Sequence, residues 1–342
     1  MSVTKKLVAG IVTVALLIGL NQIFEYGFGD FRINPYYARI VKLIGINITL
    51  AVSLNLINGL AGQFSIGHAG FMAVGGYAAT YLTVYHGRAI AALAGSTLDA
   101  GLGTALVMIA SLATGAVMAA AAGLAVGIPS LRLKGDYLAI VTLGFGEIIR
   151  VIILNIPAVG GATGFTDAIP ITNFFWIFSM ALMTIVIVRN IAVSTFGRAL
   201  AAIRGDEIAA EAMGIHTTRY KVLAFVISAA LAGVAGGLSG QLFANPLNPQ
   251  NLNFVKSIEV IVMIVLGGIG SITGAVIGAT TLTILPEALR TFDQQFPGLR
   301  MVLYALLLIL LMIFRPQGLL GRRELSWSWL RLPSRRAAGA EG

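Results

Sequence analysis

What most limits the fold of this chain is a set of apolar runs that have no polar side. "LVAGIVTVALLIGL" (Leu7–Leu20) and "MVLYALLLILLMIF" (Met301–Phe314) offer no stripe that water could solvate. The hydrocarbon core of a bilayer, about 30 Å thick, takes roughly 20 such residues as a helix. Soluble domains carry about 25% charged residues, whereas here the share is 11%. Strand-type alternation is absent, which sets a β-barrel aside. The expected fold class is therefore all-α: a polytopic transmembrane helical bundle.

The runs predict helices near 7–24, 38–58, 66–85, 101–127, 137–156, 172–191, 222–243 and 299–315. Residues 254–285 as one helix would be nearly 50 Å long at about 1.5 Å per residue, too long for one crossing. "GGIGSITG" (Gly267–Gly274) interrupts them with turn-permitting glycines, so they divide into helices near 254–268 and 272–286, one of which could be re-entrant. About ten spans result, with both termini cytoplasmic. In this arrangement Lys5, Lys6, Arg132, Lys134, Arg198, Arg204, Arg219, Lys221 and the arginine-rich tail lie inside, while Glu25, Asp30, Asp99, Asp167, Glu287 and Asp293 lie outside. The basic start followed by an apolar run resembles a signal peptide, but "NQIFEYGFGDF" offers no small-residue cleavage site, so a retained first span is expected. Residues 1–34 are then a first helix and outer loop, 35–321 a transmembrane domain, and 322–342 a basic tail with Trp327 and Trp329 at the membrane surface.

Several chemistries are excluded. The chain has no cysteine and three scattered histidines, so no thiolate or dense metal site is expected, and no cofactor. Nucleophile elbows, zinc-helix motifs, paired catalytic carboxylates and phosphate loops are all missing, which argues against an enzyme and against ATP hydrolysis by this chain. The net charge of +9 sits in loops and tail, a pattern that orients a membrane protein and does not imply nucleic acid. Glycines four apart (Gly123/Gly127, Gly233/Gly237, Gly236/Gly240, Gly274/Gly278) predict close helix crossings. "GQFSIGHAG" and "GGIGSITGA" share a glycine-interrupted pattern that would suit an internal repeat or merely two tight turns.

The most polar central stretch is "RGDEIAAEAMGI", Arg204 to Ile215. Asp206 is a suitable N-cap, Glu207 complements the helix dipole, and Gly214 suits a left-handed C′ position. A helix of about two turns is marginal alone in water, so it needs a surface to dock against. Ala209, Ala210 and Ala212 would offer a low surface; the alternative is an ordinary structured loop.

"AIRGDEIAAEAMGIHTTRYKVLAFVISAALAGVAGGL" (Ala202–Leu238) resembles the cytoplasmic loop and following span of ABC-importer permeases. "LNLINGLAGQFSIGHAGFMAVGGYAA" (Leu54–Ala79), "SLRLKGDYLAIVTLGFGEIIR" (Ser130–Arg150), "GGATGFTDAI" (Gly160–Ile169), "GGIGSITGAVIGA" and "FRPQGLLG" (Phe314–Gly321) are similar, in order, to one branch: the LivM-type permeases of branched-chain amino acid importers. The loop "GGATGFTD" departs from the commoner pattern of that branch and leaves the substrate open. The resemblance implies a bacterial inner-membrane subunit, a second and different LivH-like permease, two ATPases and a periplasmic binding protein. It also makes Arg204, Gly205, Asp206, Glu207, Ala209, Ala210, Glu211, Ala212 and Gly214 the segment that couples to an ATPase. A permease for urea or short amides, or an ion-coupled carrier working alone, remains the alternative.

Polar residues at membrane depth are the pathway candidates. Gln63, Ser65 and His68 cluster in a glycine-rich break, where half-helix ends could meet a zwitterionic amino acid or simply form a satisfied turn. Glu147 and Arg150, three apart, could pair with each other or handle protons or substrate. Asn155 and Thr163 would face the side where a binding protein lands, and Glu259 lies near the start of its span.

Overall fold

The computed structural model describes residues 3–324, apart from residues 26, 28–32, 94–100, 132, 134, 167, 243–246, 291–298, 316 and 322–323. Its helices are α1 (Val3–Glu25), α2 (Pro35–Asn55), α3 (His68–Leu93), α4 (Gly101–Ser130), α5 (Asp136–Leu154) and α6 (Phe174–Val193). They continue with α7 (Thr195–Gly205), α8 (Glu207–Ala212), α9 (Thr217–Gly240), α10 (Phe254–Gly267), α11 (Ile272–Ala288) and α12 (Leu299–Phe314). Among the described residues there is no β-strand beyond an isolated bridge between Phe165 and Leu247. Each apolar run became a helix. The boundaries moved most at α9, whose first turn carries the polar Thr217 and Thr218, and at α3, which continues to Leu93. Among the described residues, five helical stretches are long and apolar enough to cross a membrane: Pro35–Leu60, α4, α5, α6 and α9. The tail arginines from Arg322 onwards, Trp327 and Trp329 lie outside the described residues.

Local sequence sets the helix starts. Asn34 accepts a bond from the Tyr36 amide, with Pro35 supplying a preset φ at the first helical position. Asn173, Ser194, Asn253 and Ser271 cap α6, α7, α10 and α11 in the same way. The glycines then decide the packing. A Cβ on Gly75 would lie 2.2 Å from the Gly233 Cα, and one on Gly236 would lie 2.0 Å from the Met72 carbonyl oxygen. Helices α3, α4 and α9 thus touch backbone to backbone, which in an apolar solvent maximises dispersion contact. Gly274 and Gly278 do the same for α11 against α10. Helices α2 and α9 are mostly buried, whereas α12 turns Val302, Leu306, Ile309 and Ile313 outward. An apolar exterior around a small-residue interior is the arrangement a lipid solvent selects.

The segment after α12 folds back over the α10–α11 turn. The Leu319 and Leu320 amides donate to the Leu266 and Gly267 carbonyls at 2.7 and 3.2 Å. The Glu324 carboxylate accepts from the Ile272 and Thr273 amides at 2.5 and 3.2 Å. One short stretch therefore satisfies the end of one helix and the start of the next, groups that would otherwise lack partners.

Candidate functional site

The polar stretch in mid-sequence folds as two short helices, α7 and α8, joined at Asp206. The Asp206 carboxylate accepts from the Ile208 and Ala209 amides at 2.9 and 3.1 Å. At the other end Gly214 takes φ +83°. The Ile215 amide donates to the Ala210 carbonyl and the Gly214 amide to Glu211, at 3.1 and 2.9 Å. This pair of bonds is a complete Schellman closure. Six helical residues are thus held by caps at both ends.

Side-chain contacts fix α8 to the bundle. Glu207 forms a 2.6 Å ion pair with Lys221 of α9, whose side chain is 2% exposed. Glu211 accepts from the Thr217 hydroxyl at 2.6 Å. Ala210 is 4% exposed and packs inward, so it does not belong to the outward surface expected from its neighbours. A helix this short can present one side only, and the ion pair turns Ala210 toward α9. The outward side carries Ala209, Ala212, Ile208 at 74% exposure and Met213 at 83%. Ile208 and Met213 are not among the residues singled out in the sequence. Bare aliphatic side chains on a polar loop were the available signal.

Arg204, the last basic residue of α7, connects this element to the interior. Its guanidinium donates to the Gly59 carbonyl. A Cβ on Gly62, at φ +67°, would meet the arginine stem at 2.6 Å, and one on Gly270 would meet Nη1 at 3.1 Å. Only glycine leaves this seat open, and at Gly62 and Gly270 it also supplies the left-handed backbone. Asn55 ties the same corner together. Its Oδ1 accepts from the Gly270 amide at 2.9 Å and its Nδ2 donates to the Ser271 carbonyl at 3.1 Å. The two glycine-interrupted segments noted in the sequence therefore meet at one point, beside α7.

From that corner the chain does something apolar runs do not announce. After α2 comes a π-helical turn, Leu56–Leu60, and residues 61–67 then run without helix back into the bundle before α3 begins at His68. Backbone at that depth needs partners from the protein. Asn58 supplies two, accepting from the Ser65 amide at 3.2 Å and donating to its carbonyl at 3.4 Å. Thr142 accepts from the Ile66 amide and Ser257 from the Ala69 amide, at 3.1 and 2.9 Å. His68 Nε2 lies 2.8 Å from the Ser53 hydroxyl. The Ser65 Oγ atom is buried and finds no hydrogen-bond partner among the described residues.

Of the pathway candidates, Ser65 and His68 come together at this break, and Gln63 lies half-buried at its start. Glu147 and Arg150 pair at 2.7 Å. Glu147 also accepts from the Phe254 amide at 3.1 Å, so it fastens α5 to the start of α10. Asn155 stands apart from the break; it is exposed at the end of α5 and donates to the Val151 carbonyl at 2.7 Å. Thr163 is likewise exposed, bonded to the Gly160 carbonyl. Among the described residues no group of three metal-ligating side chains occurs.

A protein family described as branched-chain amino acid transport system / permease component matches residues 36–312. The chain is 35% identical over 327 residues to the high-affinity branched-chain amino acid transport system permease protein LivM of Escherichia coli strain K12, covering 85% of this chain and 71% of that one. It is 33% identical over 348 residues to LivM of Salmonella typhimurium, covering 91% and 75%. The permease protein LivH of Escherichia coli strain K12 is 43% identical over 131 residues, covering 38% of this chain and 41% of that one.

Proposed function

Because the chain belongs to the family of branched-chain amino acid transport permease components, we propose that it forms the translocation pathway of an ATP-driven importer and couples to a separate ATPase through α7 and α8. It is the membrane permease subunit of an importer for branched-chain or similar hydrophobic amino acids. Its companions are a second, LivH-like permease, two ATPase subunits and a substrate-binding protein on the outer side. The α8 end of the bundle faces the cytoplasm of the bacterial inner membrane, and both termini lie on that side of a ten-span bundle.

The observation that carries this proposal is the outward side of α8. Ile208, Ala209, Ala212 and Met213 stand bare on a helix that caps and an ion pair hold rigid. An ATPase groove that covers them gains apolar burial at about 25 cal/mol per Å². Arg204 then passes displacement of α8 to the corner of Gly59 and Gly270, and through α2 to the break at Ser65 and His68. A near-complete swing between two conformations needs roughly 5.5 kcal/mol of differential binding, which nucleotide can deliver only through a docked element. Gln63, half-buried at the start of the break, gives a passing carboxylate or ammonium a polar foothold there.

The test is reconstitution with the ATPases, the second permease and the binding protein. Uptake should need ATP and survive collapse of the ion gradients. Replacing residues 205–214 by a flexible linker should abolish uptake while leaving the chain in the membrane. Uptake by this chain alone on a proton or sodium gradient, or normal uptake with the linker, would falsify the proposal.

A further inference from the structure

At the end of the bundle opposite α8 lies a cavity of about 480 Å³. The outer half of α2, the start of α10, the end of α11 and residues 247–252, with Met72 of α3 and Ser239 of α9, line this half-open cavity among the described residues. Its wall carries two cations, Arg39 and Lys256, and two anions, Glu259 and Glu287. Leu43 and Leu247, both partly exposed, supply its accessible apolar wall, and Ile46, Met72 and Leu282 are buried beside it. Both charge signs in equal number, beside aliphatic surface, complement a ligand that is neutral overall, charged at both poles and oily at one end. A lone cation or anion would find as much repulsion as attraction here.

The polar groups are held in place. Asn47 is buried, and its amide bridges two elements: Nδ2 donates to the Thr283 hydroxyl at 2.9 Å, and Oδ1 accepts from the Lys256 ammonium at 3.3 Å. Lys256 also pairs with Glu259 at 3.0 Å. An ammonium has three donors, so one remains after these two contacts. Glu259 is partly exposed and keeps acceptor capacity on its carboxylate. Glu287 is steadied by the Tyr36 hydroxyl. Met72 stands one helical turn along α3 from His68, so the cavity lies on the same helix face as the break below it.

We propose that this cavity is an entry site for a zwitterionic α-amino acid with an aliphatic side chain. Lys256 takes the carboxylate, Glu259 takes the ammonium, and the side chain rests on Leu43 and Leu247. The site rests on the importer function proposed above and gives it a substrate-contacting residue pair.

The natural absence of cysteine permits a direct test. Asn251, exposed at the cavity wall, is changed to cysteine in the full importer complex, and labelling by a small thiosulfonate reagent is followed by mass on this chain. Leucine should slow labelling about tenfold, whereas leucinamide and 4-methylpentanoate, each lacking one charge, should not. Lys256→Gln should remove the protection and reduce uptake about tenfold. Equal protection by all three compounds, or no protection by leucine while ATP-driven leucine uptake persists, overturns the site and leaves the importer standing. Protection with no ATP-driven uptake of any amino acid would instead overturn the importer and keep the site.

Discussion

The ion pair between Glu207 and Lys221 gives an asymmetric prediction. The two side chains lie 2.6 Å apart, but Lys221 is 2% exposed and Glu207 23%. Removing one member of a buried pair costs about 3–5 kcal/mol, because the survivor keeps a charge without compensation. A survivor that water reaches costs closer to ~1 kcal/mol. Glu207→Gln strands the buried ammonium and should cost roughly 3 kcal/mol; Lys221→Met strands a carboxylate that water solvates, fills the space of the lysine stem, and should cost ~1 kcal/mol. The double variant removes both charges and should recover most of the difference. Since α8 has six residues, the loss appears as local release of that helix. Hydrogen exchange of the amides of residues 208–213 should accelerate by about 100-fold in Glu207→Gln, and by about fivefold in Lys221→Met and in the double variant. Uptake per ATP hydrolysed should fall in the same order. A larger effect of Lys221→Met, or a double variant no better than Glu207→Gln, would refute the assignment of the buried charge as the element that holds α8.

Three further outcomes follow from the same contacts. Asp206→Ala removes two cap bonds and should destabilise α8 by ~1 kcal/mol, read as faster amide exchange at Ile208 and Ala209 with insertion unchanged. Gly233→Ala places a methyl 2.5 Å from the Ala119 Cβ and the Gly115 carbonyl, where no flexible side chain can yield; the melting temperature should drop, with a cost of at least ~1–3 kcal/mol. Arg204→Lys keeps the charge but not the planar reach between Gly59 and Gly270, so ATP hydrolysis should persist while uptake falls several-fold; unchanged uptake would show that this seat transmits nothing.

The sequence made some of this plain and hid the rest for physical reasons. Capping chemistry is local, so Asp206 and Gly214 could be placed correctly from their neighbours alone. The division at Gly267–Gly274 was equally legible, because helix length is bounded by bilayer thickness, and α10 and α11 end and begin within two residues of the expected limits. The non-helical return of residues 61–67 was visible only as glycine-rich polarity. The side chains that make it tolerable, Thr142 and Ser257, come from remote helices. Arg204 and Gly59 are 145 residues apart, and nothing at either position predicts the other. Ala210 was misassigned to the outward surface because six residues are too few for a periodic pattern to reveal which side faces the protein. Glu147 could be paired with Arg150 from spacing, but its second bond, to the Phe254 amide, depends on how α5 meets α10.

The clip made by Leu319, Leu320 and Glu324 has a consequence for biosynthesis. Ribosomes deliver α10 and α11 long before they deliver residue 324, so during that interval the carbonyls of Leu266 and Gly267 and the amides of Ile272 and Thr273 wait without the partners they have in the finished fold. A nascent chain that stops at the end of α12 would keep an open seam beside the corner of Arg204, Gly59 and Gly270.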